Sequence, residues 1–395
     1  MTIRRWPLIG AGLLTCASAS GLLGACASDD SDPLGEPEPG QVTAPVQDAA
    51  AGDAEPEPCT SGECLFFPEE CSSDTLCPTG PFDLVNPAAG MDWRTRIQIV
   101  RGRSANDVWL AGTVGTIARF DGASWTKSET GSEEALSFLW LTATSEIAFG
   151  SPNRIYARGL DFDAGGAGAS AGGWSLLPRA MRPSGFGSQV TAAWAPSGSE
   201  QLWLAMENTL WRARVGAASN VEFAAGIPTS VCTTLGCRRM RSIHGASAKT
   251  VWAVGESGVA VRIDDADGAT PRATAFNTAT WTGFSGVWAA SDTNVWAVGG
   301  LGTIRHYTGD PVRWDAVLDV PTSENLNAVW GTSPSDIWAV GNAGVVLHYD
   351  GTSWSRIKIA GLGTRRPDLY TVWSPAAGQV WIGGLGVVLA LGGNP

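Results

Sequence analysis

A short pattern that recurs seven times limits what this chain can become more than any other feature. It appears as VWLAG at Val108, VWAVG at Val251 and again at Val295, IWAVG at Ile337 and VWIGG at Val380, with weaker copies around Ile147 (SEIAFG) and Trp203 (QLWLA). The anchor positions Trp109, Ile147, Trp203, Trp252, Trp296, Trp338 and Trp381 lie 38 to 56 residues apart. In the clearest copy, from Leu326 to Ile359, four short runs of strand-forming residues are separated by the turn clusters TSPS, GNAG and DGT. Asn342-Ala343-Gly344 and Asp350-Gly351 suit tight hairpins because such residues enter left-handed backbone at low cost. Each unit is therefore one antiparallel four-stranded sheet. A sheet of that size cannot bury both faces alone, and radial repetition at this period buries each sheet between two neighbours. The expected fold is all-β, a seven-bladed β-propeller over residues 81–395.

The last copy holds only three strands, LYTVW, QVWIGG and GVVLALGG, before Pro395. An open ring would leave a bare sheet edge, so an N-terminal strand is expected to complete the last blade. The segment 90–97, GMDWRTRI, matches the fourth strand GTSWSRIKI, with Trp93 in the place of Trp354.

The VWAVG…HYDG.SW repeats resemble tryptophan-rich bacterial propellers of the sialidase-repeat and photosystem-assembly-factor-like kind, over about residues 90–391. The resemblance implies the propeller shape and no particular activity. Asp121-Gly122 and Asp350-Gly351 are adjacent, unlike the spaced pair of a sialidase Asp-box, and no Trp-Asp ending repeats as in WD40 blades.

Ahead of the repeats, residues 1–25 carry Arg4 and Arg5 and then an apolar run to Leu23, the form of a secretory signal. Its end, Leu23-Gly24-Ala25-Cys26, resembles a bacterial lipobox. That resemblance implies cleavage before Cys26, lipidation of its sulfur and new amino terminus (palmitate among the acyl chains), and anchoring to the outer membrane, on its periplasmic side or at the cell surface. Residues 26–58 are rich in Asp, Glu, Pro, Ala and Gly with no aromatic and no base, a disordered tether. Residues 27–58 hold nine acids and 59–80 four, so the propeller is close to neutral and nearly all of the formal charge of −12 belongs to the stalk. A near-neutral body gives no reason to expect a nucleic-acid partner.

The Cys-rich segment 59–80 carries Cys59, Cys64, Cys71 and Cys77, and Cys232 with Cys237 form a distant pair. An even count in an exported chain points to disulfides, with three possible connectivities among the first four. The spacings lack the Cys-x-x-Cys of zinc sites, and neither a metal nor another cofactor is expected. The Gly-Ala-Ser run 164–173 reads as an enlarged hairpin loop in the second copy.

The tryptophans recur at fixed places and are expected to pack between blades. Eight residues before the anchor lies Trp288, Trp330 or Trp373, with Trp194 and Trp140 filling that place in irregular copies. Arg101 and His244 replace the indole in the first and fourth copies, so two polar groups enter the innermost layer, either as hydrogen-bonded packing or as ligand groups. The strand bearing His244 follows a Cys232–Cys237 loop and the basic run Arg238, Arg239 and Arg241. Arg365 and Arg366 occupy the corresponding connection before the last blade. Such arginines hold a carboxylate or phosphate by forked hydrogen bonds, or else form a solvated basic loop. His306 and His348 occupy equal places in adjacent copies, too far apart for one ion in sevenfold geometry, and a structural role in the repeat is expected.

No Ser-His-Asp set, metal signature or paired carboxylates can be read. Tyr307 and Tyr349 are repeat positions, and Tyr156 and Tyr370 are the other two tyrosines. The sequence therefore favours a monomeric, non-catalytic module, lipid-anchored at the envelope, binding a protein or a glycan. The other reading is a glycosidase or lyase of sialidase-like shape, which would need an arginine cluster with a tyrosine nucleophile or two carboxylates.

Overall fold

A computed structural model of the chain describes residues 62–82, 90–162, 168–178, 186–206, 209–216, 219–237 and 239–392. The signal segment, Cys26, the tether, Cys59 and Arg238 fall outside these.

The described residues form seven antiparallel sheets of four strands each, the expected propeller. Within blades one to six the strands follow chain order from the axis outward. Blade one comprises Ile97–Ser104, Asp107–Gly112, Ile117–Phe120 and Trp125–Ser128, and blade six comprises Leu326–Ser333, Asp336–Gly341, Val346–Tyr349 and Trp354–Arg356. The innermost strands of blades two to five are Phe138–Leu141, Ala192–Trp194, Met240–His244 and Phe284–Ser291, and Leu369–Ala376 is that of blade seven. The second strand is buried along its length because both its faces meet neighbouring blades: Val295 to Val298 is at most 3% exposed.

Core clusters bridge adjacent blades as the tryptophan spacing predicts. Trp338, Val340 and Val346 of blade six pack with Leu369, Val372 and Ile382 of blade seven. Trp203 and Leu210 of blade three pack with Ile243, Val251 and Val261 of blade four. In blades one, four, five and six the hairpin between second and third strands uses left-handed backbone at two successive residues, Ala343 (φ 52°) and Gly344 (φ 67°) in blade six. A Cβ on Gly344 would also sit 2.9 Å from the Phe67 ring.

Closure departs from expectation. The fourth strand of blade seven is Leu76–Pro78, not 90–97: Leu76 pairs with Leu391, Cys77 with Ala390 and Pro78 with Leu389. Trp93 does not take the place of Trp354. It is 56% exposed, whereas Trp354 is 6% exposed, and residues 90–96 form a loop leading into the innermost strand of blade one. Leu76 is fully buried and bonded on both sides, its amide donating to the Lys358 carbonyl and its carbonyl accepting from the Ala360 amide; Pro78 is tolerated because its nitrogen faces away from Val387–Leu391. The Cys-rich segment is thereby part of the ring. The Ile359 amide donates to the Phe66 carbonyl, the Gly361 amide to that of Pro68, and Phe67 joins the core between blades six and seven.

Disulfides join Cys71 to Cys77 and Cys232 to Cys237, and Cys64 is also disulfide-bonded. The first places a crosslink on the closing strand; the second caps the short helix Thr229–Leu235 before blade four.

Candidate functional site

Strand register brings seven equivalent side chains to the innermost layer. Trp288 pairs with Trp296, Trp330 with Trp338, Trp373 with Trp381, Trp194 with Trp203 and Trp140 with Ile147, while Arg101 pairs with Trp109 and His244 with Trp252. The two polar residues thus stand in the ring of indoles. The structure brings them to one place.

Trp330 touches both. The Arg101 guanidinium lies over its ring at 4.6 Å, and the His244 ring meets it edge-on at 5.0 Å. Nη1 of Arg101 donates to the carbonyls of Val100 (2.7 Å) and Val372 (3.4 Å). No carboxylate among the described residues pairs with Arg101, and burial alone lowers its pKa to about 10, still charged at neutral pH. His244 is 7% exposed, and its Nδ1 accepts the amide hydrogen of Ala289 at 3.1 Å, which leaves the proton of the neutral ring on Nε2. Burial, with a smaller contribution from the Arg101 charge, pushes its pKa down to about 3.

Around these residues the axial passage holds cavities of about 270 and 130 Å³ that share Arg101, His244 and Trp330. The larger is walled by Trp140, Trp194, Trp330 and Trp373, with small residues such as Gly245 and Ala246 at its rim. The smaller is more polar, lined by Ser242, Asn327, Tyr370 and Arg241 among others. It opens beside a vestibule of about 690 Å³ lined by Gln98, Ser137, Gln189, Thr191, Arg239, Arg241 and Glu256.

The basic loop partly forms the expected cluster. Arg241 pairs with Glu256 at 2.8 Å and Arg239 with the same carboxylate at 3.5 Å. The hydrogen bond from Arg241 is the main cause holding Glu256 below the usual carboxylate range. Arg365 and Arg366 do not join them. Arg365 donates to the carbonyls of Leu385 and Gly386, and the Arg366 guanidinium lies 3.6 Å over the Phe67 ring, so both fasten the closing region of the ring.

His306 and His348 have the structural role read from the repeat, through an acceptor that sequence reasoning missed. Nε2 of His348 and Nε1 of Trp338 both donate to Oδ1 of Asp336, at 2.7 and 3.0 Å. His306 and Trp296 do the same to Asn294, at 2.9 Å each, and Arg119 and Trp109 to Asp107, at 2.9 and 3.1 Å. An acid or amide two residues before the anchor was the available signal. Tyr307 is buried against Trp252, Phe276 and Trp314, and the Tyr349 hydroxyl donates to the Gly351 carbonyl. Tyr156 meets Arg154 and Glu134, and Tyr370 lies under the Arg96 guanidinium at 3.6 Å. Among the described residues no cluster of three or more His, Cys, Asp or Glu is placed to hold a metal ion.

Among the described residues two tryptophans are exposed, Trp281 (83%) and Trp93 (56%). Both lie in loops entering innermost strands, those of blades five and one, and hence on the vestibule's face.

No family model and no curated protein matches the chain. Several solved structures share its fold. YCF48 bound to D1 peptide aligns with a TM-score of 0.57 at 16% identity, over 75% of this chain and 92% of that one. YCF48 from Cyanidioschyzon merolae gives 0.58 at 15%, over 75% and 96%. Virginiamycin B lyase from Staphylococcus aureus gives 0.54 at 13%, over 75% and 94%. A peptide-bound propeller and a lyase stand at similar distance, so the likeness carries the β-propeller fold and no single activity.

Proposed function

We propose that this chain is a non-catalytic binding module, held at the bacterial envelope by lipid on Cys26 and a flexible acidic tether, that receives an acidic segment of another protein at the vestibule. The observation that carries this reading is the unbalanced charge there. Arg239 and Arg241 share one carboxylate, Glu256, which leaves a net positive mouth on an otherwise near-neutral body. Gln98, Ser137, Gln189 and Thr191 add side chains able to hydrogen-bond a peptide backbone, and Trp93 and Trp281 offer exposed rings on the same face. The YCF48 structure with a bound peptide supports a propeller of this kind as a protein-binding platform. No Asp or Glu among the described residues lines the axial cavities, which favours binding over an acid-base hydrolase.

The test is binding of the purified full-length chain to arrays of acidic and neutral peptides and of acidic and neutral glycans, beside an Arg239→Ala/Arg241→Ala variant. Retention of acidic peptides that the folded double variant loses is expected. Binding to glycans alone would reassign the partner to a sugar, and equal binding by both forms would remove the vestibule from the site.

A further inference from the structure

A second site lies within the axis and is chemically unlike the vestibule. The larger cavity contains one permanent cation, Arg101, and no carboxylate among the described residues that line it. Nη1 of Arg101 is engaged by two carbonyls, but its Nε and Nη2 hydrogens have no acceptor among the described residues. The same is true of Nε2–H on His244, whose other nitrogen is fixed by Ala289. None of these nitrogens is among the buried polar atoms sealed from solvent without a partner, so they open onto the passage. A partly buried guanidinium without a counter-charge is costly, and a bound anion would reduce that cost.

Which anion follows from the walls and the charge. His244 is neutral across ordinary pH, so the cavity supplies one full positive charge and one neutral donor, a match for a monoanion rather than for a phosphate dianion. Beyond those donors the lining is mostly apolar, with four indoles. We propose that the larger axial cavity binds a small organic carboxylate with a flat apolar body. Its oxygens are held by the free N–H groups of Arg101 and by Nε2–H of His244, and its body lies against Trp140, Trp194, Trp330 and Trp373. Trp330, in contact with both donors, forms the floor on which the carboxylate end rests. Trp140 and Trp330 are fixed in orientation, their indole nitrogens donating to the carbonyls of Ser199 and Ser374 at 2.8 and 3.0 Å. The walls are therefore preorganised. This site is separate from the vestibule and does not depend on that reading.

The experiment is calorimetric titration of the full-length chain, followed in parallel by tryptophan fluorescence. The ligands are benzoate, 3-phenylpropionate and 2-naphthoate, the corresponding amides, and sodium phosphate. At least one acid is expected to bind and to quench fluorescence, with its amide weaker by roughly 10- to 100-fold, the loss of one charge-assisted pair of hydrogen bonds. Phosphate is expected to give no saturable heat. Arg101→Gln should weaken the acid to the level of the amide, Arg101→Lys should restore part of the affinity, and Arg214→Ala, an exposed residue paired with Glu222 and lining neither axial cavity, should leave it unchanged. Equal affinity for acid and amide, equal affinity for phosphate, or no saturable binding of any acid up to about 10 mM would overturn the assignment. If Arg101→Gln does not fold, the acid and amide comparison on the native chain decides alone.

Discussion

Nδ1 of His244, on the innermost strand of blade four, accepts the amide hydrogen of Ala289 on the innermost strand of blade five at 3.1 Å. That bond requires the neutral ring, and it ties one blade to the next at the axis. Burial first, and the Arg101 charge second, lower the folded-state pKa to about 3, against about 6.5 for a histidine in an unfolded chain. Between those values the unfolded chain takes up a proton that the folded chain refuses. The stabilisation is therefore whole above about pH 6.5 and is lost as pH falls toward 3, at up to about 1.4 kcal/mol per pH unit. Melting temperatures measured from about pH 7 down to about pH 4.5 should fall, and His244→Gln, which keeps an acceptor for Ala289, should fall less steeply. Its slope should not vanish, because burial also lowers His306 to about 4, the Asp315 charge opposing only weakly. Equal slopes in both proteins would refute the assignment.

Asp336 is the acceptor for two part-buried donors, Trp338 and His348, and also takes the Thr332 hydroxyl. Burial raises its pKa, but those hydrogen bonds outweigh it and the net shift is downward. Asp336→Leu strands both ring donors and should cost about 1 to 3 kcal/mol for each. Asp336→Asn should cost far less, since blade five already uses Asn294 at this place. Urea titrations of the two variants give the comparison, and similar losses would show that the bonds contribute little.

Trp338 itself is 5% exposed and fills the space between blades six and seven. Trp338→Ala should destabilise by about 3 to 5 kcal/mol, the cost of emptying a large aromatic site. Chemical denaturation reads this directly, and a loss below about 1 kcal/mol would mean that the site collapses around the missing ring.

Deleting residues 71–78 should lower the melting temperature sharply, because it removes the strand paired with Val387–Leu391. A chain beginning at residue 81 lacks the same strand and should behave alike. Cys71→Ser/Cys77→Ser, which keeps the strand, should cost about 2 kcal/mol through the freer unfolded chain. A deletion that melts like the native protein would place closure elsewhere.

The blades were legible because a two-residue side-chain period and hairpin turns repeat with the same tryptophan. Even the innermost pairing of Trp330 with Trp338 follows from an eight-residue offset. The closing strand was hidden for a physical reason. Leu76–Pro78 is three residues long and shows no alternation, whereas 90–97 imitates a fourth strand yet spends Trp93 on solvent. The shared acceptors were partly masked because Gln201, Thr250 and Gln379 occupy that place in other copies, and Trp252 accordingly has no partner for its indole nitrogen among the described residues. Arg101 and His244 stood out as breaks in the repeat, but their meeting over Trp330 depends on ring curvature that no local pattern encodes. The stacking of Arg366 on Phe67 was hidden because that ring belongs to a segment remote in sequence.

The clasp also fixes an order of events during synthesis. Blades two to six can each dock on the preceding one as they are made, but Leu76–Pro78 waits for Val387–Leu391, and the Val100 amide waits for its acceptor, the Thr371 hydroxyl at 3.2 Å. Until Trp373, Trp381 and Val388 have been made, the flank of blade one that carries Ile97 and Val100 lacks the blade-seven side chains that cover it. A nascent chain therefore carries an apolar flank without its blade-seven cover from residue 100 to residue 388, which makes newly made protein, rather than the finished ring, the form most in need of a holding chaperone.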